Sequence, residues 1–554
     1  MNPRSRVVLA LLCVLALPLR AQTAAPVLPA KTAPLGKAAA FASEPLVVEQ
    51  MHTAYTYAAD GTGQKAIHAI TRIQSEAAAR QYSVLYVPYA AGNEEVETRH
   101  ILVHKADGTV VETPATDAQD MPSEVTRLAP VYSDLRQKQY PIRSLGVGDT
   151  LEYEGVIRMT KAQAIAPGGV AQFWGTETLT ASAVSLDTTL EIHLPRDGAV
   201  IVRSPRYKPE ITDSPTERTF RWHTSQLQPT VLPPGAPKPP DPPATDRLPD
   251  IGWTSFPDWA AVGAWYRSIA VERAAPTPAL KARADAIIQG AATDEEKVRR
   301  MYAFVSTNIR YIGVAFGLGR YQPHPASEVL ANQYGDCKDK HTLLAALLTA
   351  EDFDAEPVLI GNEIKFDREL PAPSSFNHLI TAVTLGDSPA HPGKRVFLDS
   401  TEEVAPYAAL SPTLRDKEAL VVPVNGPAVV VQTPATLPFP AFDHWEAHAT
   451  LDKEGKLKGH FDVTSRSDLE LLLRWSLHQT TASEWPQLGQ NLSSGFGYGG
   501  TVTNFAPGSA EQTDAPLHYA YDYERDSYGE AGQAPGRRRS VSPGSSGSAP
   551  RGEL

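Results

Sequence analysis

A thiol, an imidazole and a carboxylate stand in the order Cys337, His378 and Asp399. These are the side-chain types of a nucleophile, its base and the group that orients the base. Spacings of 41 and 21 residues leave room for a helix and a strand, then for a hairpin. His378 stands at the entrance of the β-branched run Leu379-Ile380-Thr381-Ala382-Val383, and Asp399 ends a second strand, Val396-Phe397-Leu398. Adjacent strands would set imidazole and carboxylate side by side. Taken singly, each has a plainer role: a strand-end histidine among 15, and a turn-forming aspartate before Ser400-Thr401.

Cys337 carries the stronger signal. The other cysteine, Cys13, lies in the apolar stretch 7–17 behind Arg4 and Arg6, a pattern that reads as a secretory signal peptide cleaved after Ala21. The mature chain is therefore expected to enter an oxidising compartment with one thiol and no partner for a disulfide. In Gly335-Asp336-Cys337-Lys338-Asp339-Lys340-His341-Thr342-Leu343-Leu344, Gly335 permits a tight turn and Asp336 suits an N-cap. The apolar residues that follow fit a helical period. The thiol thus falls at a helix N-terminus, where free N–H groups and the helix dipole favour a thiolate. Lys338 and Lys340 are expected to add positive charge beside it. The competing role is that of a small buried apolar residue, which the charged flanks argue against.

Taken with Arg310-Tyr311, Tyr321-Gln322-Pro323, Ala326-Ser327-Glu328-Val329-Leu330, Asn377-His378 and Leu398-Asp399-Ser400-Thr401, the cysteine segment resembles the transglutaminase-like superfamily. More narrowly, the chain is similar to exported bacterial members that carry an N-terminal β-rich domain of unknown function. The resemblance implies a papain-related core in which Cys337 is the nucleophile, His378 the general base and acid, and Asp399 the orienting carboxylate. The backbone N–H of Cys337 would serve the oxyanion, with Gln322 or Tyr334 as candidates for a second donor or for substrate binding.

Length and patterning suit an α+β chain of about three domains, a papain-like core flanked by two β-rich, sandwich-like domains. Residues 1–21 read as the signal and 22–43, rich in Ala, Pro and Lys, as a flexible leader. Alternating strands over 44–230 suggest a β-sandwich, in which Trp174 reads as a packed core aromatic. The proline-rich linker 231–250 precedes the transglutaminase-like domain at 251–428. Thr293-Asp294-Glu295-Glu296 reads as a capping box opening a helix whose buried face is Val298, Met301, Tyr302, Val305 and Ile309. Strands return over 437–525, with a turn at Gly455 and an apolar cluster at 469–473 that starts a helix. The family's β domain is expected to continue past Asp526. There the composition collapses to Gly, Ser, Pro and Arg, so 526–554 reads as a disordered tail and the C-terminal domain as incomplete, as after truncation or a frameshift.

A net charge of −12 gives no support for nucleic-acid binding. No stretch after the signal approaches the length of a membrane-spanning helix. No histidine pair has the spacing of a helical zinc motif with its glutamate, Asp336, Asp339 and Asp352 read as caps or solvated charges, and no phosphate loop occurs, so neither metal nor cofactor is expected. The expected function is a periplasmic or secreted cysteine acyltransferase or peptidase, with a protein or peptide substrate and a thioester intermediate. Its outcome is cross-linking, deamidation or proteolysis, according to the acceptor. The alternative is a non-catalytic peptide-binding or cell-envelope assembly protein built on the same core.

Overall fold

The computed structural model describes residues 41–128, 134–179, 183–227, 248–313, 321–386, 393–526 and 528. The signal segment, most of the leader, most of the proline-rich linker and nearly all of the tail lie outside the described residues.

The N-terminal region is built on an eight-stranded sheet. Its centre is formed by Val184–Pro195, Leu46–Tyr57, Gly63–Ile73, Thr150–Met159 and Glu94–His104, in that spatial order. Alternation along these strands puts Ile67, Ile101, Val103, Leu151 and Tyr153 on one face. There they join Val87, Tyr140 and Ile142 from the three-stranded sheet of Gln119–Pro122, Leu135–Pro141 and Val84–Ala90. Strand Leu46–Tyr57 runs antiparallel to its sequence neighbour but parallel to Val184–Pro195, so the middle of the sheet closes through a long crossover rather than a hairpin.

The segment after the linker departs from the sequence reading, which starts the core at 251. Ile251–Thr254 is instead the middle strand of a three-stranded sheet with Trp174–Glu177 and Ile201–Arg203, both N-terminal to the linker. Its other contacts reach forward into the core. Thr254 Oγ1 donates to the Pro371 carbonyl at 2.9 Å. A Cβ on Gly252 would lie 2.4 Å from Leu370 Cδ2, so any larger residue here would have to displace the Leu370 side chain. Arg203 donates to Asp367 Oδ2 at 3.0 Å.

The core sheet is antiparallel, in the order Lys394–Leu398, His378–Leu385, Ala355–Ile360, Glu418–Val421 and Val429–Gln432. Helices Pro278–Ile288, Asp294–Asn308, Ala326–Asn332 and Cys337–Thr349 pack with it into one apolar cluster. Val298, Met301, Tyr302, Val305 and Ile309 are all buried there, as the periodicity predicts. Only half of the expected capping box forms: Thr293 accepts from the Glu296 N–H, but the Glu296 carboxylate takes the N–H of Ala292 rather than that of Thr293.

Strands Phe442–Leu451, Leu457–Arg466, Leu517–Arg525 and Thr501–Pro507 make a final sheet, faced by helices Asp468–Gln479 and Trp485–Gly495. Gly455 adopts φ +84° in the first hairpin turn, and residues 469–473 lie in the first of these helices. Among the described residues no helix is long and apolar enough to cross a membrane.

Trp174 is buried where the N-terminal region meets the core. Its ring centroid lies 5.8 Å from those of Phe256 and Trp265 and 5.7 Å from that of Tyr321, in the apolar cluster that also holds Cys337. Trp174→Ala should cost about 3–5 kcal/mol through the cavity it leaves. Because that cavity falls between the two units, calorimetry should show one melting transition in the parent and two in the variant.

Candidate active site

Cys337 is the first residue of its helix, and the turn before it is held by a buried polar collar. The Asp336 carboxylate accepts from the N–H groups of Lys338 and Asp339, and the Asp339 carboxylate reaches back to the N–H of Asp336. This reciprocal cap satisfies the donors of the first turn and leaves the N–H of Cys337 outside it. Gly335 is needed for crowding rather than for turn geometry, since a Cβ there would lie 2.7 Å from that of Asp339. Asp339 also accepts from the His324 backbone N–H at 2.8 Å, tying the loop before the preceding helix to the same carboxylate.

The two lysines do not sit beside the thiol as solvated charges. Lys338 is fully buried and its ammonium is bonded to Asp336. Lys340 points away, donating to the carbonyls of Ser306 and Ile309 at the end of helix Asp294–Asn308, and burial lowers its pKa to about 8. Asp336 and Asp339 cap the helix as expected but are buried. Burial lifts Asp336 to about 6 against the pull of Lys338.

His378 opens its strand opposite Ile360. Its Nε2 lies 3.0 Å from Asp399 Oδ2, and Cys337 is near enough to favour the charged form of the same imidazole. The strand register pairs Thr381 with Leu398. Continued by one residue, it sets Asp399 opposite Ile380, on the face that His378 also uses. The other carboxylate oxygen of Asp399 accepts from the N–H and the hydroxyl of Thr401 at 3.0 and 2.7 Å. Burial opposes charge on both groups. Even so, Asp399 and Cys337 together hold His378 well above the ordinary histidine pKa, and His378 with Thr401 keeps Asp399 below the ordinary carboxylate range.

Three supporting contacts escape a reading of the sequence. The Tyr302 hydroxyl donates to the Asp399 carbonyl at 3.1 Å, so this core tyrosine also fixes the end of the aspartate strand. Asn377 accepts from the Asn362 N–H at 2.7 Å and donates to the Asn362 carbonyl at 2.9 Å, clasping the chain just before His378. The Asn-His pair in the motif was the available signal. Glu402 sits near the triad, where burial and the Asp399 charge raise its pKa to about 7. Of the two candidate oxyanion donors, Gln322 is exposed and contacts the Ile269 carbonyl at 3.4 Å, while the Tyr334 ring lies under the Arg310 guanidinium. Tyr266 and Tyr311 are the phenols close enough to feel the charge of Cys337, and burial keeps both neutral.

Comparison with known proteins fits this geometry. Residues 281–368 match the model of the transglutaminase-like superfamily, and residues 59–231 match DUF3857, a domain of unknown function with solved structure. Over that first span the chain is similar to the transglutaminase-like superfamily. The matched part of the transglutaminase-like core holds Cys337 and stops short of His378 and Asp399. A solved structure from Parabacteroides distasonis, named a "putative protease", shares the fold over 87% of this chain and 93% of its own, with a TM-score of 0.58 at 12% identity. A second, named a "putative cysteine protease" and from Cytophaga hutchinsonii, overlaps 47% of this chain and 83% of its own, with a TM-score of 0.21 at 14% identity. No curated protein matches the sequence.

Two outcomes follow for the transglutaminase-like site. Asn377→Ala removes both bonds to Asn362 and should lower kcat at least tenfold with little change in KM, while thermal denaturation shows the fold intact; an unchanged kcat would remove Asn377 from the positioning of His378. A raised imidazole pKa means that the protonated form is lost only as pH climbs past the ordinary histidine value of ~6.5. The alkaline limb of kcat/KM should lie above that pH and move to lower pH in Asp399→Asn, which removes the charge that holds the proton.

Proposed function

We propose that this protein is an exported cysteine-dependent acyl-transfer enzyme acting on glutamine carboxamides or peptide bonds of proteins or peptides. The observation that carries the reading is the buried pair of His378 and Asp399, 3.0 Å apart, set near the helix-terminal thiol of Cys337. Export to the periplasm or beyond is supported by the signal pattern of residues 1–21 and by the lone thiol of the mature chain.

In the first half-reaction the Cys337 sulfur attacks the carbonyl carbon, forming a C–S bond while the carbonyl electrons move to oxygen. The N–H of Cys337, left outside the cap, supplies a donor for that oxyanion. Collapse expels ammonia or an amine, which takes its proton from the imidazolium of His378 and leaves a thioester. In the second half-reaction His378 takes a proton from the acceptor, which attacks the thioester and breaks the C–S bond. Water yields an acid, and an amine yields a new amide. Asp399 keeps the ring oriented throughout and stabilises its charged form.

The site supports a second reading through one observation. Cys337 is 1% exposed, so the thiol is covered, which suits a core that holds peptide without turning it over. Incubation with a glutamine-containing peptide library followed by intact-protein mass spectrometry separates the two. The enzyme reading expects an acyl adduct on Cys337, absent in Cys337→Ser and slowed by about 10³–10⁴ in His378→Ala. Peptide capture without an adduct would establish the binding role instead, and an adduct forming at the parental rate in His378→Ala would show that the histidine has been misassigned.

A further inference from the structure

The face of the N-terminal sheet away from its main core carries a concentration of histidine and glutamate. His68, Glu154 and His100 are directly opposite one another on three adjacent strands, and Glu152 follows on the same face. His100 reaches this face only through a bulge. Thr98 pairs with Gly155 and points to the core side, where its hydroxyl meets that of Tyr140 at 2.7 Å. Simple alternation would send His100 the same way. The extra residue, Arg99, shifts the register so that His100 pairs with Glu154 instead.

The three side chains converge on one carboxylate oxygen. His68 Nε2 lies 2.9 Å from Glu152 Oε1 and His100 Nε2 lies 3.4 Å from the same atom, and all three ligand atoms fall within 4.8 Å of one another. A tetrahedral ion with bonds of about 2.0–2.1 Å holds its ligand atoms roughly 3.4 Å apart, so these separations approach those of a first coordination shell. As a purely hydrogen-bonded cluster the group is left incomplete. His68 already uses Oε1, His104 Nε2 holds Oε2 at 2.6 Å, and the buried His100 Nε2 has no hydrogen-bond partner. An ion among the three atoms would give each lone pair a partner. Outer contacts fit the same role. His104 orients the carboxylate, and Glu154, itself paired with Arg99, lies 3.8 Å from the second nitrogen of His100.

We propose that His68, His100 and Glu152 form a binding site for one divalent transition ion of the zinc class. The donor set of two imidazoles and a carboxylate matches that ion and leaves a fourth position for water or a ligand. The sequence gives no spacing signal for it, since the ligands come from three strands and one depends on a bulge. Nearby on the same face, Glu191 with His52 at 3.5 Å and His193 at 3.2 Å forms a second histidine–glutamate group, which serves as an internal control.

The test uses the full-length chain as Cys337→Ser, so that the thiol cannot ligate the metal, after chelation and removal of the chelator. Titration with Zn²⁺ by calorimetry should show one equivalent bound, and Co²⁺ should give the visible absorption of a tetrahedral centre. The melting temperature should rise on saturation. Binding should be lost in Glu152→Gln and, at the more exposed position, in His100→Ala, with circular dichroism confirming that each variant is folded. It should survive in His193→Ala. No bound equivalent in the parent, binding that persists in folded His100→Ala, or binding lost only with His193→Ala would each overturn the assignment.

Discussion

Much of this structure depends on one buried arrangement of charge, the cap at the start of helix Cys337–Thr349. Asp336, Lys338 and Asp339 are all withdrawn from water, and such groups are tolerated only when bonded and paired. They satisfy one another and the first-turn amides, with His324 completing the set. The arrangement leaves little freedom in where the first side chain of the helix points. The placement of Cys337 is thus set by a network in the turn before it. The strands carrying His378 and Asp399 have only to be held against that fixed point.

They are held from two directions. From within the core, Tyr302 anchors the carbonyl of Asp399 and Asn377 locks the chain ahead of His378. From outside it, the N-terminal region reaches the same loop through Arg203 on Asp367 and through Gly252 against Leu370. The domain of unknown function therefore has a physical role independent of any ligand: it braces the segment that delivers the histidine.

How far the sequence could be read depended on how local each signal was. The cysteine, its cap and the helix behind it lie within a dozen or so consecutive residues, and their roles follow from turn, cap and periodicity alone. The placing of His378 and Asp399 at the ends of adjacent strands was legible because each sits at a strand boundary and the two strands are neighbours in sequence, while the roles given to them rest on the resemblance. Lys338 and Lys340 were legible as residues but not in effect, because whether a charge is solvated or buried depends on which element packs over it. The parallel pairing of Leu46–Tyr57 with Val184–Pro195, the allegiance of Ile251–Thr254 and the convergence of His68, His100 and Glu152 were not legible at all. Each joins residues far apart in the chain, and strand alternation alone does not choose the partner strand.

The strand Ile251–Thr254 also bears on how the molecule can move. Its backbone hydrogen bonds run on both sides to strands that precede the linker, Trp174–Glu177 and Ile201–Arg203, while the chain continues directly into the core. A swinging motion of one unit against the other would have to tear that ladder or drag the strand out of it. A distortion of that three-stranded sheet would therefore reach the loop before His378 directly, through Arg203 on Asp367 and Gly252 against Leu370.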